Sequence, residues 1–309
     1  MLLVFSGYDI IFLQIRIKTI FNNLPINLAH MHKETKMTTI AVFNQKGGVG
    51  KTTLTVNLAA ALYRFHKKKI LIVDCDEQCN SSDYCFGMGK ADGSIPEDNL
   101  TIADYLSGKC GINDIVYNMH IKDGRQIISS GIDIISSGHN IGDIEIKSFD
   151  EYKKILESLS DNYEIAFLDL PPQKVQTVYC GIDAADFMLI PITTENDTSF
   201  SGYTMAVDLI DEFRDSRMNE TLKILGLVIT KTKNSRSALE TYLIKQCREQ
   251  FGSSLFDTMI RDAQAVNDAL MFRTPVVYNK KMADVSRDYK KLSDEFIKRL
   301  DKAEGKVKY

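Results

Sequence analysis

Phe43-Asn44-Gln45-Lys46-Gly47-Gly48-Val49-Gly50-Lys51-Thr52-Thr53 is the stretch on which the fold turns. Ahead of it, Thr39-Ile40-Ala41-Val42-Phe43 is a short apolar run that reads as a strand. Behind it, Leu54 to Tyr63 reads as a helix. A strand, a glycine-rich loop and a helix N-terminus together make a phosphate cradle. Gly47, Gly48 and Gly50 let backbone N–H groups turn inward around Val49, and the helix dipole adds positive potential at the same spot. Lys51 is placed to reach the β and γ phosphates of ATP. The hydroxyl of Thr52, beside Thr53, is placed to ligate Mg²⁺. The alternative is a chance glycine-rich turn, and the flanking strand and helix argue against it.

The strict Walker A pattern fails at one point. It asks for glycine five residues before Gly50, and that position is Gln45. A second lysine, Lys46, stands at the mouth of the loop, too early in the chain to curl onto its own phosphates. Read alone, it is an exposed cation beside an anion site.

Two further strand ends carry carboxylates. Ile70-Leu71-Ile72-Val73 reads as a buried parallel strand and delivers Asp74-Cys75-Asp76-Glu77-Gln78-Cys79-Asn80 to the carboxyl edge of the sheet, where open α/β folds bind ligands. Asp74 and Asp76 are one residue apart and face different ways. One can support the loop and Mg²⁺ while the other faces the γ-phosphate. A solvated acidic turn is the plainer alternative. Ile165-Ala166-Phe167-Leu168 ends in Asp169-Leu170-Pro171-Pro172, the Walker B arrangement of a carboxylate at a strand terminus. In this order and spacing the three motifs reinforce one another.

Taken together these residues resemble the ParA/MinD ATPases with a deviant Walker A loop, a group that includes the nitrogenase iron protein. The pattern is most similar to Soj-like ParA partition proteins. The resemblance covers Thr38 to Leu300. It includes Asn99 to Leu106, Ile132 to Ile135, Asp186 to Glu195 and Leu225 to Thr230. Phe256 to Ile260 and Thr274 to Tyr278 resemble the family's C-terminal strands and nucleotide-base loop, the latter containing Pro275.

The resemblance implies a Mg²⁺-dependent ATPase that is slow without its partner. Lys46 would cross a dimer interface to phosphates bound by the other subunit, so that ATP controls homodimerisation. Asp76 would orient the attacking water beside Lys51, and Asp74 would support a metal shell completed by Thr52 and Asp169. The ATP dimer would bind duplex DNA without sequence preference, and a ParB-like protein would stimulate hydrolysis to segregate plasmid or chromosome DNA. The expected location is the cytoplasm, on the nucleoid. Two departures bear on this. Glu77 stands where proline is usual, and Ala265 aligns where the family often has arginine, which leaves Arg236, Arg261 and Arg273 as candidate DNA contacts.

Composition sets the remaining bounds. The chain has 309 residues, 44% of them hydrophobic, enough for one large α/β core, and strands and helices alternate without linker or repeat. The expected architecture is one doubly wound, mainly parallel sheet flanked by helices, occupying 37–309. Net charge is −3, which announces no polyanionic partner, but Lys231 to Tyr309 holds 17 Lys and Arg against 11 Asp and Glu, leaving −9 for the rest. That basic third suits either DNA or ordinary solvated helix faces such as Ser286 to Leu300. The loop Gly87 to Asn99 is expected on the surface. Six cysteines show no paired metal-ligand spacing, which argues against zinc or an iron–sulfur cluster and for reduced, packed thiols.

Residues 1–36 match nothing in the family, and Met37 looks like a natural start. Met1 to Gln14 is apolar but short for a membrane span and lacks a basic n-region. It reads as upstream sequence from an early start codon, with an amphipathic anchor or partner-binding arm as the alternative. Two rival functions remain in view. A MinD-type membrane-cycling regulator would need an amphipathic C-terminal helix, and the tail after Leu300 is basic but poor in bulky apolar residues, so no membrane partner is expected. A metabolic ligase of the dethiobiotin-synthetase kind would lack the Lys-Gly-Gly arrangement.

Overall fold

Thr38–Val42, Ile70–Asp74 and Ile165–Asp169 are runs of five residues that are almost wholly buried. Apolar side chains on both pleats suit a strand covered on both faces. In chain order the strands are β1 (Thr38–Val42), β2 (Ile70–Asp74), β3 (Val116–Asp123), β4 (Gln126–Ile135), β5 (Ile165–Asp169), β6 (Phe187–Thr193) and β7 (Lys223–Thr230). This computed structural model describes residues 37–194, 207–213, 215–216 and 218–306. The 1–36 extension lies outside the described residues.

The strands form one sheet in the order β3-β4-β2-β5-β1-β6-β7. Every pairing is parallel except the β3–β4 hairpin at the edge. Alternation along β1 divides the core. Ala41 joins a cluster on one face with Tyr152, Ile155 and Val178, while Ile40 and Val42 join a cluster on the other with Leu54, Leu58 and Phe296. Helices therefore cover both faces, and the doubly wound reading holds. Among the described residues no helix is long and apolar enough to cross a membrane.

Helix α1 (Lys51–His66) buries ten residues, including the run Ala59-Ala60-Ala61, because it is held between the sheet and the last helix. A helix that is apolar nearly all round belongs in a core. It ends at Lys67, whose left-handed backbone returns its N–H to the carbonyls of Leu62 and Tyr63.

Three details depart from the sequence reading. Gly87 opens the second half of a helix, α2 (Asn80–Asp92), and not a loop, while Ile95 beyond it is buried against Gly89. Phe256 to Ile260 runs beside β7, with Phe256 N–H donating to Leu227 O at 2.8 Å and Ile260 N–H to Ile229 O at 2.9 Å. Among the described residues only isolated bridges flank it, Leu227 with Leu255 and Thr232 with Arg261, and it is no eighth strand. The ladder is interrupted near Gly226, where a Cβ would meet the Phe256 ring at 2.6 Å and the β6–β7 register slips. Finally, Val276–Asn279 is a helical turn with Pro275 at its N-cap.

Candidate nucleotide site

The register of the central strands gathers the chemistry at one edge. Asp74 at the end of β2 pairs with Asp169 at the end of β5, and Asp169 pairs in turn with Val42 at the end of β1. The glycine loop leaves β1 at that level. Gly48 and Gly50 have φ of 75° and 82°, a left-handed backbone that glycine adopts without strain. A Cβ placed on Gly47, Gly48 or Gly50 would meet nothing within 4 Å, so these glycines border open space.

Gly50 also caps α1, with no side chain bonded to the first-turn N–H groups. Those donors point at the cradle. Asn44 holds the loop's entrance. Its Nδ2 donates to Pro191 O at 2.8 Å and its Oδ1 accepts from Lys46 N–H at 2.8 Å. On the far side Thr230 Oγ1 donates to Val49 O at 2.8 Å and Ile192 O at 3.0 Å, fastening the loop to the ends of β6 and β7.

Lys51 lies folded over the cradle, with Nζ donating to Asn44 O at 3.0 Å. Burial pulls its pKa down, and the carboxylates of Asp169 and Asp76 work against that. A triphosphate arriving here would favour the charged ammonium further. Thr52 Oγ1 donates to Asp169 Oδ2 at 2.7 Å. Ser81, from the first turn of α2, donates to the same oxygen. Asp169 Oδ1 is buried and has no hydrogen-bond partner among the described residues, and burial raises this carboxyl's pKa. A cation is the partner that such an oxygen suits, so Thr52 and Asp169 fit Mg²⁺ bound jointly with nucleotide phosphates.

The two carboxylates of the Asp-x-Asp pair do face different ways. Asp74 is completely buried. Its Oδ1 accepts from Asp76 N–H at 3.1 Å, and its Oδ2 accepts from Ser82 N–H at 2.9 Å and Ser82 Oγ at 2.7 Å. Burial, with Asp169 beside it, pushes its pKa up to about 7. Asp74 thus lies beneath the cleft as a brace for the Asp76 turn. Asp76 itself reaches the cleft, where its Oδ1 also accepts from Gln78 N–H at 3.0 Å.

The cleft has a volume of about 700 Å³ and brings together Gly47, Gly48, Gly50, Lys51, Thr52, Thr53 and Asp76. Lys46 is half-buried at its mouth. The far wall is formed by Thr230 and Lys231, by Ile260 to Asp262, and by Val266 and Asn267. Pro275 is not brought to this wall. It is buried at the N-cap of its helical turn, and Val276 N–H donates to Asn57 Oδ1 at 2.8 Å. Asn44, Ser81 and Ser82 went unnoticed in the sequence. Only Ser81 and Ser82 had a signal, as hydroxyls in the first turn of a helix that follows two acidic residues.

The three candidate arginines do not share one surroundings. Arg261 is clamped by Asp288, through Nε at 2.6 Å and Nη2 at 2.9 Å, and reaches Asp284 at 3.0 Å. Arg273 lies over Gly87, with Asp83 at 4.0 Å. Arg236 is exposed. The Asp288 side chain is only 10% exposed. Arg261→Ala should therefore lower stability by about 1–3 kcal/mol, because a mostly buried carboxylate loses its charged donor. Thermal melting checks this, and an unchanged midpoint would show the clamp to be energetically idle.

Comparison with known proteins agrees with this geometry. A family model described as an AAA domain matches residues 37–224. The chain is similar to the chromosome-partitioning ATPase Soj of Treponema pallidum, with 32% identity over 84% of this chain and 97% of that one. It is similar to the chromosome partitioning protein ParA of Caulobacter vibrioides, with 30% identity over 84% and 94% of the two chains. Among solved structures it resembles the septum site-determining protein MinD of Pyrococcus horikoshii, complexed with Mg-ADP. There the TM-score is 0.66 and the identity 20%, over 86% of this chain and 98% of that one.

Proposed function

The chain belongs to the ParA/MinD family of ATPases, and from that premise we propose that it is a partition ATPase that moves or tethers plasmid or chromosome DNA. The observation that carries the chemistry is the Thr52–Asp169 contact beside an open glycine cradle with Lys51 folded over it. In this reading ATP binds with its phosphates on the N–H groups of the loop and of the α1 N-terminus. Lys51 neutralises the β and γ phosphates. Asp76 holds the attacking water in line with the γ-phosphorus, and Asp74 keeps the Asp76 turn in place from below. Mg²⁺, held by Thr52 and Asp169, would add charge neutralisation of the phosphate oxygens.

Lys46 sits at the mouth, where a second subunit closing over the cleft would meet it. On this reading two ATP-bound chains form a homodimer, and a ParB-like partner stimulates hydrolysis. The dimer gathers twice the basic surface of the C-terminal third against duplex DNA on the nucleoid. One subunit makes too few phosphate contacts, so binding should appear only with ATP and should weaken steeply as salt rises. Fluorescence anisotropy with two unrelated duplexes tests this across a salt series, with and without ATP. Equal binding without nucleotide would contradict the switch, and binding to only one duplex would contradict non-specific contact.

A further inference from the structure

The loop after β4 lies against the turn that carries Asp76, because β4 ends beside β2, with Ile135 paired to Val73. Two of its side chains reach that turn. Ser137 Oγ donates to Asp76 O. His139 Nδ1 lies 2.9 Å from Glu77 O, and since a carbonyl oxygen only accepts, Nδ1 carries the proton. Neither Ser137 nor His139 lines the nucleotide cleft. The loop is itself anchored from behind by a short helix, α3 (Ile102–Leu106). From its first turn Ile102 N–H donates to Ser136 O at 2.8 Å and Ala103 N–H to Ser137 O at 3.3 Å.

The turn needs such support. Cys79 N–H closes it by donating to Asp76 O at 2.9 Å. Cys79 has φ of 52°, in the left-handed region where a side chain strains the backbone. Strained positions persist only where surrounding contacts over-determine them. Here Asp76 O accepts from both Cys79 N–H and Ser137 Oγ, and the next carbonyl, that of Glu77, accepts from His139. Rotating either peptide plane would break at least one of these bonds. It would also re-aim the Asp76 side chain, whose Oδ1 is tied to Gln78 N–H at 3.0 Å.

We infer that Ser137 and His139 are positioning residues for hydrolysis, which pin two successive carbonyls and so hold the Asp76 carboxylate at the angle that orients water. This rests on the reading of Asp76 as the water-orienting group. Ser137 is buried and His139 is exposed. His139 is therefore the half of the clamp that can be altered without disturbing the core. The clamp grips backbone outside the cleft. Its loss slows turnover and spares ATP binding, which depends on the glycine loop and Lys51.

Steady-state hydrolysis by the full chain carrying His139→Ala or His139→Asn tests this. His139→Ala should lower kcat about tenfold and leave KM within about twofold, because a small misplacement of a catalytic group is costly in rate. The asparagine amide puts an N–H donor near the place of Nδ1, so His139→Asn should recover most of the loss. On an Asp76→Ala background His139→Ala should cost nothing further, because the two residues act as one unit. Unchanged kcat, equal loss in the alanine and asparagine variants, or an additive loss on that background would overturn the positioning role. Hydrogen exchange at the Cys79 amide reads the clamp without turnover. It should quicken about tenfold in His139→Ala, with the melting temperature unchanged, and slow again in His139→Asn. An unchanged exchange rate would overturn the clamp itself. A chain that fails to bind ATP, or an Asp76→Ala chain that hydrolyses at full rate, counts against the nucleotide and water-orienting readings, and the exchange result still decides the clamp.

Discussion

Lys51→Ala is expected to weaken ATP binding roughly a hundredfold or more, equivalent to about 2.7 kcal/mol. The ammonium folds over the cradle, and it is buried. Its bond to Asn44 O holds it at the loop in readiness. Removing it leaves a triphosphate facing Asp169 and Asp76 with that offsetting charge gone. The effect should exceed that of losing one neutral hydrogen bond, because charge-assisted bonds to phosphate are about twice as strong. Equilibrium titration with a fluorescent ATP analogue measures it. Retained affinity, with the melting temperature unchanged, would remove the phosphate-loop assignment at its root.

The part of the site that depends on local sequence was legible, and the part that depends on register was not. Gly47, Gly48 and Gly50 declare a loop by their side-chain-free spacing, and the apolar runs on either side declare strand and helix. Asp169 could be found because a lone carboxylate after the four buried apolar residues Ile165 to Leu168 has few other uses. Asn44 is an ordinary polar residue in the sequence, and Ser81 and Ser82 carry only the weak signal of hydroxyls in a first helical turn. They become structural only when β1, β2 and β5 are laid side by side, which puts Ser81 on Asp169 and Ser82 on Asp74. The edge hairpin had a signal that went unread. Gly124-Arg125 separates two runs that pair as antiparallel strands, and Gly124 takes the positive φ such turns need. Phe256 to Ile260 misled because its backbone does bond to β7, yet the pairs at either end of it are isolated bridges and no continuous ladder forms. Pro275 was placed by resemblance alone, and nothing in its own neighbours marks the helical turn that buries it.

Asp76→Ala and Lys46→Ala should fail in opposite ways, and the contrast tests the proposed cycle. Asp76 lines the cleft, but its backbone N–H and Oδ1 are used within its own turn, by Asp74 and Gln78. The remaining carboxylate oxygen is the one available to a water molecule. Truncation should leave ATP affinity within about threefold and lower the hydrolysis rate by roughly 10²–10⁴, the usual worth of a positioned base or orienting group. The variant should then accumulate as an ATP-bound dimer. Lys46 stands outside the cradle, with its backbone N–H tied to Asn44 and its position at the mouth set by that bond. Its loss should spare ATP binding in a single chain, because Lys51 and the loop N–H groups remain. It should remove the dimer, because the charge offered across the interface is gone, and hydrolysis should fall with it. Size-exclusion chromatography with light scattering in the presence of ATP separates the two outcomes, and a single-turnover assay supplies the rates. A Lys46→Ala chain that dimerises as the unsubstituted protein does would confine this lysine to a general electrostatic role. An Asp76→Ala chain that still hydrolyses at full rate would move the water-orienting role to another group at the cleft, and Glu77, the adjacent acid in the cleft lining, is next in line.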